Sequence, residues 1–155
     1  MIVRAINIRQ PWASMITSLP TEVRKDVENR SWRLRADDGS PYLGLLVLVA
    51  SARCSLEEHK GACEWAHEHA DVPEELLPRY GSLPLGGIVG VTRITGYIDP
   101  DTEETYAWHQ PGHVGWELDG SIALPFRPYR GRQGPFTVEL TPAEADALRA
   151  AKLAA

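Results

Sequence analysis

Apolar positions along this chain recur with two periods, and the changes between them mark out the elements. Val3 to Ile8 reads as a strand and Gln10 to Ser18 as a short helix, with a turn at Leu19-Pro20-Thr21. From Asp26 to Leu34 the period is two: Asp26, Glu28 and Arg30 share one face of an extended segment, and Val27, Asn29 and Ser31 the other. Ala36 to Pro41 is a loop, rich in Asp, Gly and Ser. Leu43 to Ala50 is almost continuously apolar, short and partly β-branched, which predicts a central strand covered on both faces. Ser55 and Glu58 form a capping-box pattern that opens a helix to about Ala70, and Asp71 to Glu74 starts a second, short one ending before Gly81. Gly86 to Ile98 reads as one long strand whose interior glycines fit tight coiling around a small barrel or a close backbone neighbour. Val114–Leu118 and Ile122–Phe126 predict a hairpin about Asp119-Gly120. A basic, Pro/Gly-rich loop (Pro125 to Pro135) and a last strand (Phe136 to Leu140) follow, and Thr141-Pro142-Ala143-Glu144 caps a terminal helix.

About six short strands with peripheral helices fit a mixed α/β pseudo-barrel better than a βαβ sheet. With 155 residues and 43% hydrophobic composition, one domain over residues 1–140 is expected, with 141–155 as a helical extension packed on it. The net charge of −5 argues against nucleic-acid affinity from overall charge, so any phosphate contact needs a local basic patch. Two cysteines make no disulfide framework, and a reducing cytoplasm is the expected setting. The start of the chain lacks the long apolar run of a leader, and no stretch approaches the roughly 20 apolar residues of a membrane span.

Candidate chemistry concentrates between Ile6 and Trp32. A strand carrying Glu28 and Arg30 on one face, with Lys25 at its start, is costly to bury without a purpose. Beside Trp12 and Trp32 it reads as the lining of a pocket for a planar polar ligand. An aromatic ring there can stack on a nucleobase, worth roughly 1–3 kcal/mol. Glu28 can accept from an exocyclic amine while Arg9, Lys25 or Arg30 take carbonyl or phosphate oxygens, with Gln10 as a further ligand-binding candidate. The plainer alternative is two core tryptophans and ion pairs on an exposed strand. A second cluster, Arg127, Arg130 and Arg132 with Tyr129 interleaved, is a basic patch suited to single-stranded nucleic acid, or else a solvated loop. His59, Cys63 and His67 fall on one helical stripe, but three residues along one stripe do not converge on a tetrahedral ion. Neither metal nor cofactor is expected.

The order of these motifs resembles the ASCH domain of the PUA-like superfamily. The resemblance rests on Ile8-Arg9-Gln10-Pro11-Trp12-Ala13-Ser14-Met15-Ile16, on Lys25-Asp26-Val27-Glu28-Asn29-Arg30-Ser31-Trp32, and on a strand ending Ala50-Ser51. In the second half it rests on Tyr106-Ala107-Trp108, Gly115 to Leu118, and the loop from Leu124 to Phe136, so it extends to about Leu140. It implies a small β pseudo-barrel whose cleft is lined by the first motif, with RNA or a nucleobase-containing ligand as partner. Asn7 stands where the family usually has Ser, the glycine before the lysine is missing, and the family's His-Ala-Ser strand end reads Val49-Ala50-Ser51. The lost histidine removes one cleft donor, and the resemblance leaves Ser51 as a ligand-binding candidate that supplies a hydroxyl. One branch of the family hydrolyses acylated cytidine with a lysine and a hydroxyl residue in a K-x-x-T arrangement. The matching positions here are Lys25 and Glu28, where the hydroxyl is missing and the carboxylate favours a charged ammonium. Other relatives look like ribonucleases, for which His109 and His113 are the imidazoles best situated. The leading expectation is a cytoplasmic binding module for single-stranded RNA or a nucleobase-containing ligand. The alternatives are a hydrolase of modified cytidine, a ribonuclease, and a protein-interaction module.

Overall fold

In the computed structural model, which describes residues 1–153, strand β1 (Ile2–Ile8) leads into helix α1 (Trp12–Thr17), strand β2 (Val27–Arg30), strand β3 (Gly44–Ala50) and helix α2 (Leu56–Ala70). Strands β4 (Gly87–Ile98), β5 (Val114–Pro128) and β6 (Phe136–Glu139) follow, and helix α3 (Pro142–Ala150) comes last. The strands form one six-stranded mixed sheet in the order β2-β5-β4-β3-β1-β6. β1 and β3 run parallel and every other pair antiparallel. Among the described residues no ladder joins β2 to β6, so the sheet is open rather than closed by hydrogen bonds. No helix among them is long and apolar enough to cross a membrane.

The unbroken apolar run of β3 has its cause in this order. Alternate residues of a strand point to opposite faces, and a strand inside the sheet with both faces covered must be apolar at every position. Leu46, Leu48 and Ala50 enter one core with Ile6, Ile8 and Trp116, while Val47 and Val49 enter another with Val3, Ala5 and Val138. A third core of Met15, Leu19, Val27, Ala66, Ala70 and Trp108 fastens α1 and α2 beside β2. Each Val, Leu or Ile buried in this way contributes about 1.5–3 kcal/mol.

Several expectations are corrected. The hairpin about Asp119-Gly120 is a bulge within one continuous strand. β4 pairs Arg93 with Asp119 and Val91 with Ile122, so β5 carries one extra residue there, at a glycine with φ +65°. The extra residue turns the strand over: Trp116 and Leu118 face the first core, and Ile122 and Leu124, at the same parity, the second. The strand expected over Asp26–Leu34 is also shorter, ending at Arg30.

Capping follows the sequence. Ser55 Oγ accepts from the Glu58 N–H (3.1 Å), and Thr141 and Glu144 cap one another at the start of α3. The second helix shrinks to one 3-10 turn, Glu74–Leu76. The C-terminal stretch lays Leu148 and Leu153 into the second core; residues 154–155 of the expected extension lie outside the described residues.

Candidate functional site

Edge strand β2 carries the charges. Its register against β5 sets Glu28 opposite Trp116 and Arg30 opposite Val114, and the period of two turns both charged side chains to the same face. The sheet curls so far that Arg30 Nη2 donates to the main-chain carbonyl of Asn7 on β1 (3.0 Å), although three strands separate β2 from β1 in the sheet order. Arg30 Nε donates to Glu28 Oε2 (2.8 Å), and Lys25 Nζ lies 3.2 Å from Glu28 Oε1. Lys25 also donates to the Val27 carbonyl and sits 5.5 and 5.9 Å from the Trp12 and Trp108 ring centres. Its own N–H bonds the Met15 carbonyl (3.0 Å), tying the approach to β2 onto α1.

Lys25 and Glu28 are 2% and 7% exposed, so the carboxylate is shielded and its partners matter. Burial pushes the Lys25 ammonium below its ordinary value, and Glu28 only partly opposes this. For Glu28 burial acts upward, but the charges of Lys25 and Arg30 outweigh it and hold the carboxyl below the usual carboxylate value. Two cations against one anion leave the group with one net positive charge, in a chain that is acidic as a whole.

Two adjoining cavities open on this triad. One, of about 260 Å³, is walled by Trp12, Gly61 and Trp65 over Lys25, Glu28 and Asn29. The other, of about 520 Å³, is bounded by Asn7, Arg9, Arg30, Ser51, Gly131 and Arg132. Trp12, Glu28 and Asn29 line both, so the cavities form one cleft. Trp65 meets Trp12 edge to face (5.9 Å, 74°). Asn29 is clamped, its amide donating to the Trp108 carbonyl and accepting from the Gln110 N–H, each at 2.9 Å. Ser51 Oγ accepts from Asn7 Nδ2 (3.1 Å), while Asn7 Oδ1 is buried without a partner.

The cleft therefore gathers Arg9, Trp12, Lys25, Glu28 and Arg30 from the first motif, Ser51 from the end of β3 and Arg132 from the late loop. Arg9 is partly committed, gripping Glu58 through two bonds of 2.6 and 2.7 Å. Other candidates serve the framework. Gln10 is buried; its amide donates to the Pro84 carbonyl and accepts from the Ser14 N–H, both at 3.0 Å. Trp32 stands edge-on to Trp116 (5.0 Å) and its carbonyl takes the Trp116 indole N–H, away from both cavities. Arg127 grips Glu144 (3.0 and 2.8 Å), anchoring α3, and Tyr129 stacks on Phe136 against the second core. Arg130 borders a neighbouring cavity instead. Buried His109 faces the His113 carbonyl (2.7 Å), and neither imidazole lines the cleft. His59 points Nε2 at the Pro78 carbonyl (2.9 Å).

Sequence reasoning missed Trp65, Gly61, Asn29 and Asn7 as lining residues. A signal for the first two existed: α2 buries the stripe His59, Ala62, Ala66 and Ala70, which leaves Gly61 and Trp65 one turn apart off the buried stripe. Compared with protein-family models and with curated proteins, the chain gives no match to either.

Proposed function

We propose that this chain is a binding module for a nucleobase-containing ligand, single-stranded RNA foremost, and that the cleft over Lys25, Glu28 and Arg30 is its site. The observation that carries the reading is Glu28, fixed between two cations and flanked by indole rings at an open cavity. Each carboxylate oxygen retains a lone pair, and Arg30 retains the N–H groups of Nη1, its Nε and Nη2 being spent on Glu28 and Asn7. An acceptor beside a donor matches a base edge that offers an amino group beside a carbonyl or ring nitrogen. Trp12 and Trp65 supply flat apolar walls, and the net positive charge with Arg132 favours phosphate at the mouth. In the same reading the chain is an ASCH domain and its curled sheet a PUA-like pseudo-barrel, with the Arg30–Asn7 bond bridging where the ladder does not close.

Fluorescence-anisotropy titration with labelled short single-stranded RNA and DNA tests the proposal. Binding tighter than about 100 µM that weakens with added salt is expected, and Trp12→Ala should weaken it by roughly 1–3 kcal/mol. Salt-independent binding, or none, overturns the reading. A hydrolytic reading is favoured by one observation, the burial that lowers the Lys25 pKa and so makes a neutral amine more accessible. Turnover of acetylated cytidine that disappears in Lys25→Met would replace the binding module with that enzyme.

A further inference from the structure

Beyond the cleft a third cavity, of about 620 Å³, lies on the other side of the late loop and is bordered by Tyr129 and Arg130. It shares Asn7 and Gly131 with the 520 Å³ cavity, just as that cavity shares Trp12, Glu28 and Asn29 with the 260 Å³ one. The three concavities therefore run in series across the β1 end of the sheet. Gly131 is the saddle between the second and third. A Cβ built there would stand 2.3 Å from Asn7 Oδ1, so the loop crosses β1 in direct contact and with no side chain raised over the crossing. Arg132 faces the cavity on one side of the saddle and Arg130 the cavity on the other. Both are exposed and neither has an ion-pair partner among the described residues, whereas Arg9 and Arg127 are held by Glu58 and Glu144.

Resting on the function proposed above, we infer that the ligand is a strand rather than a free base or mononucleotide, laid through the three cavities in series with Arg132 and Arg130 on successive phosphates. Unpaired guanidinium groups in line with a base pocket suit a repeating anion, because each phosphate neutralised releases counterions whatever the base attached to it. Glu28 borders the first and second cavities and Arg30 the second, so the acceptor and donor set that can read a base edge lies where those two meet, and the third cavity has neither residue. One nucleotide is then recognised and its neighbours are held by their backbone.

The test uses the full chain and 5′-labelled oligocytidylates of two, four and six nucleotides, with cytidine monophosphate as competitor, across a range of salt. Affinity should rise about tenfold or more from the dimer to the hexamer. Arg130→Ala and Arg132→Ala should each flatten the slope of log affinity against log salt by about 0.7, the share of one phosphate on a single strand. Circular dichroism confirms that both variants, altered only at exposed unpaired side chains, keep their fold. If the monophosphate competes as well as the hexamer, or both variants keep the parent slope, the track is overturned while the single-base site stands. If neither monophosphate nor hexamer binds, the function proposed above falls with it.

Discussion

Both carboxylate oxygens of Glu28 are committed to cations, Oε1 to Lys25 and Oε2 to Arg30, and this single residue couples the site to the stability of the fold. Its folded-state pKa lies below the ordinary 4.5. The folded protein therefore binds fewer protons than the unfolded chain in acid, and the stabilisation is fully present above that value and lost as pH falls through the folded one. Lys25 acts in the opposite sense. Its pKa is lowered from 10.5, so the buried charge costs stability at neutral pH, and the cost fades as pH climbs towards that value. Glu28→Ala should cost about 3–5 kcal/mol in urea unfolding at pH 7, because it strands the Lys25 ammonium in the interior. The Lys25→Met, Glu28→Gln double variant should recover most of that loss and flatten the acid limb of the stability profile. The facing of Glu28 and Arg30 was legible in the sequence because alternation is a local property of strands. The framework roles of Gln10 and Trp32 were not, since Pro84 and Trp116 are remote in sequence and come near only after folding.

Among the elements, α2 is the one whose role changed most between sequence and structure. Its start at Ser55 was readable, because a cap bonds residues three apart. Gly61 and Trp65, off its buried stripe, line the smaller cavity of the cleft. A Cβ added at Gly61 meets nothing within 4 Å. Gly61→Ala should therefore stabilise the protein by about 0.8–1 kcal/mol through helix propensity alone. Gly61→Leu should fold equally well, yet weaken ligand binding by filling the cavity, measured by urea unfolding beside anisotropy. Strand β5 carries the converse lesson. Asp119-Gly120 encodes a positive φ, which serves a two-residue turn and a bulge alike. The choice depends on whether the flanking segments pair with each other or, as here, both with β4.

For the whole molecule, the two cores on either side of one sheet follow directly from the β3 pattern, so the mixed α/β class was legible from apolar periodicity. The degree of curl was not, because it is set by bulges and by one long-range bond, Arg30 to Asn7. The same holds for the arginines of the late loop, which read as equivalent in sequence. Arg127 is drawn off by Glu144, a residue that also caps α3 through the Thr141 N–H (2.9 Å). Glu144→Ala should cost roughly 2 kcal/mol by losing that charged pair and the cap together. It should leave RNA affinity within about twofold, since neither partner lines the cleft; a large loss of affinity would instead tie the docking of α3 to the site.

The cleft draws its walls from both ends of the chain: Asn7, Arg9 and Trp12 come before the middle strands, Gly131 and Arg132 after them. A polypeptide still emerging from a ribosome thus cannot complete the cleft until Arg132 is out. Any guest it finally takes in becomes a clasp between the first strand and the last loop, and through linkage its grip resists the release of either.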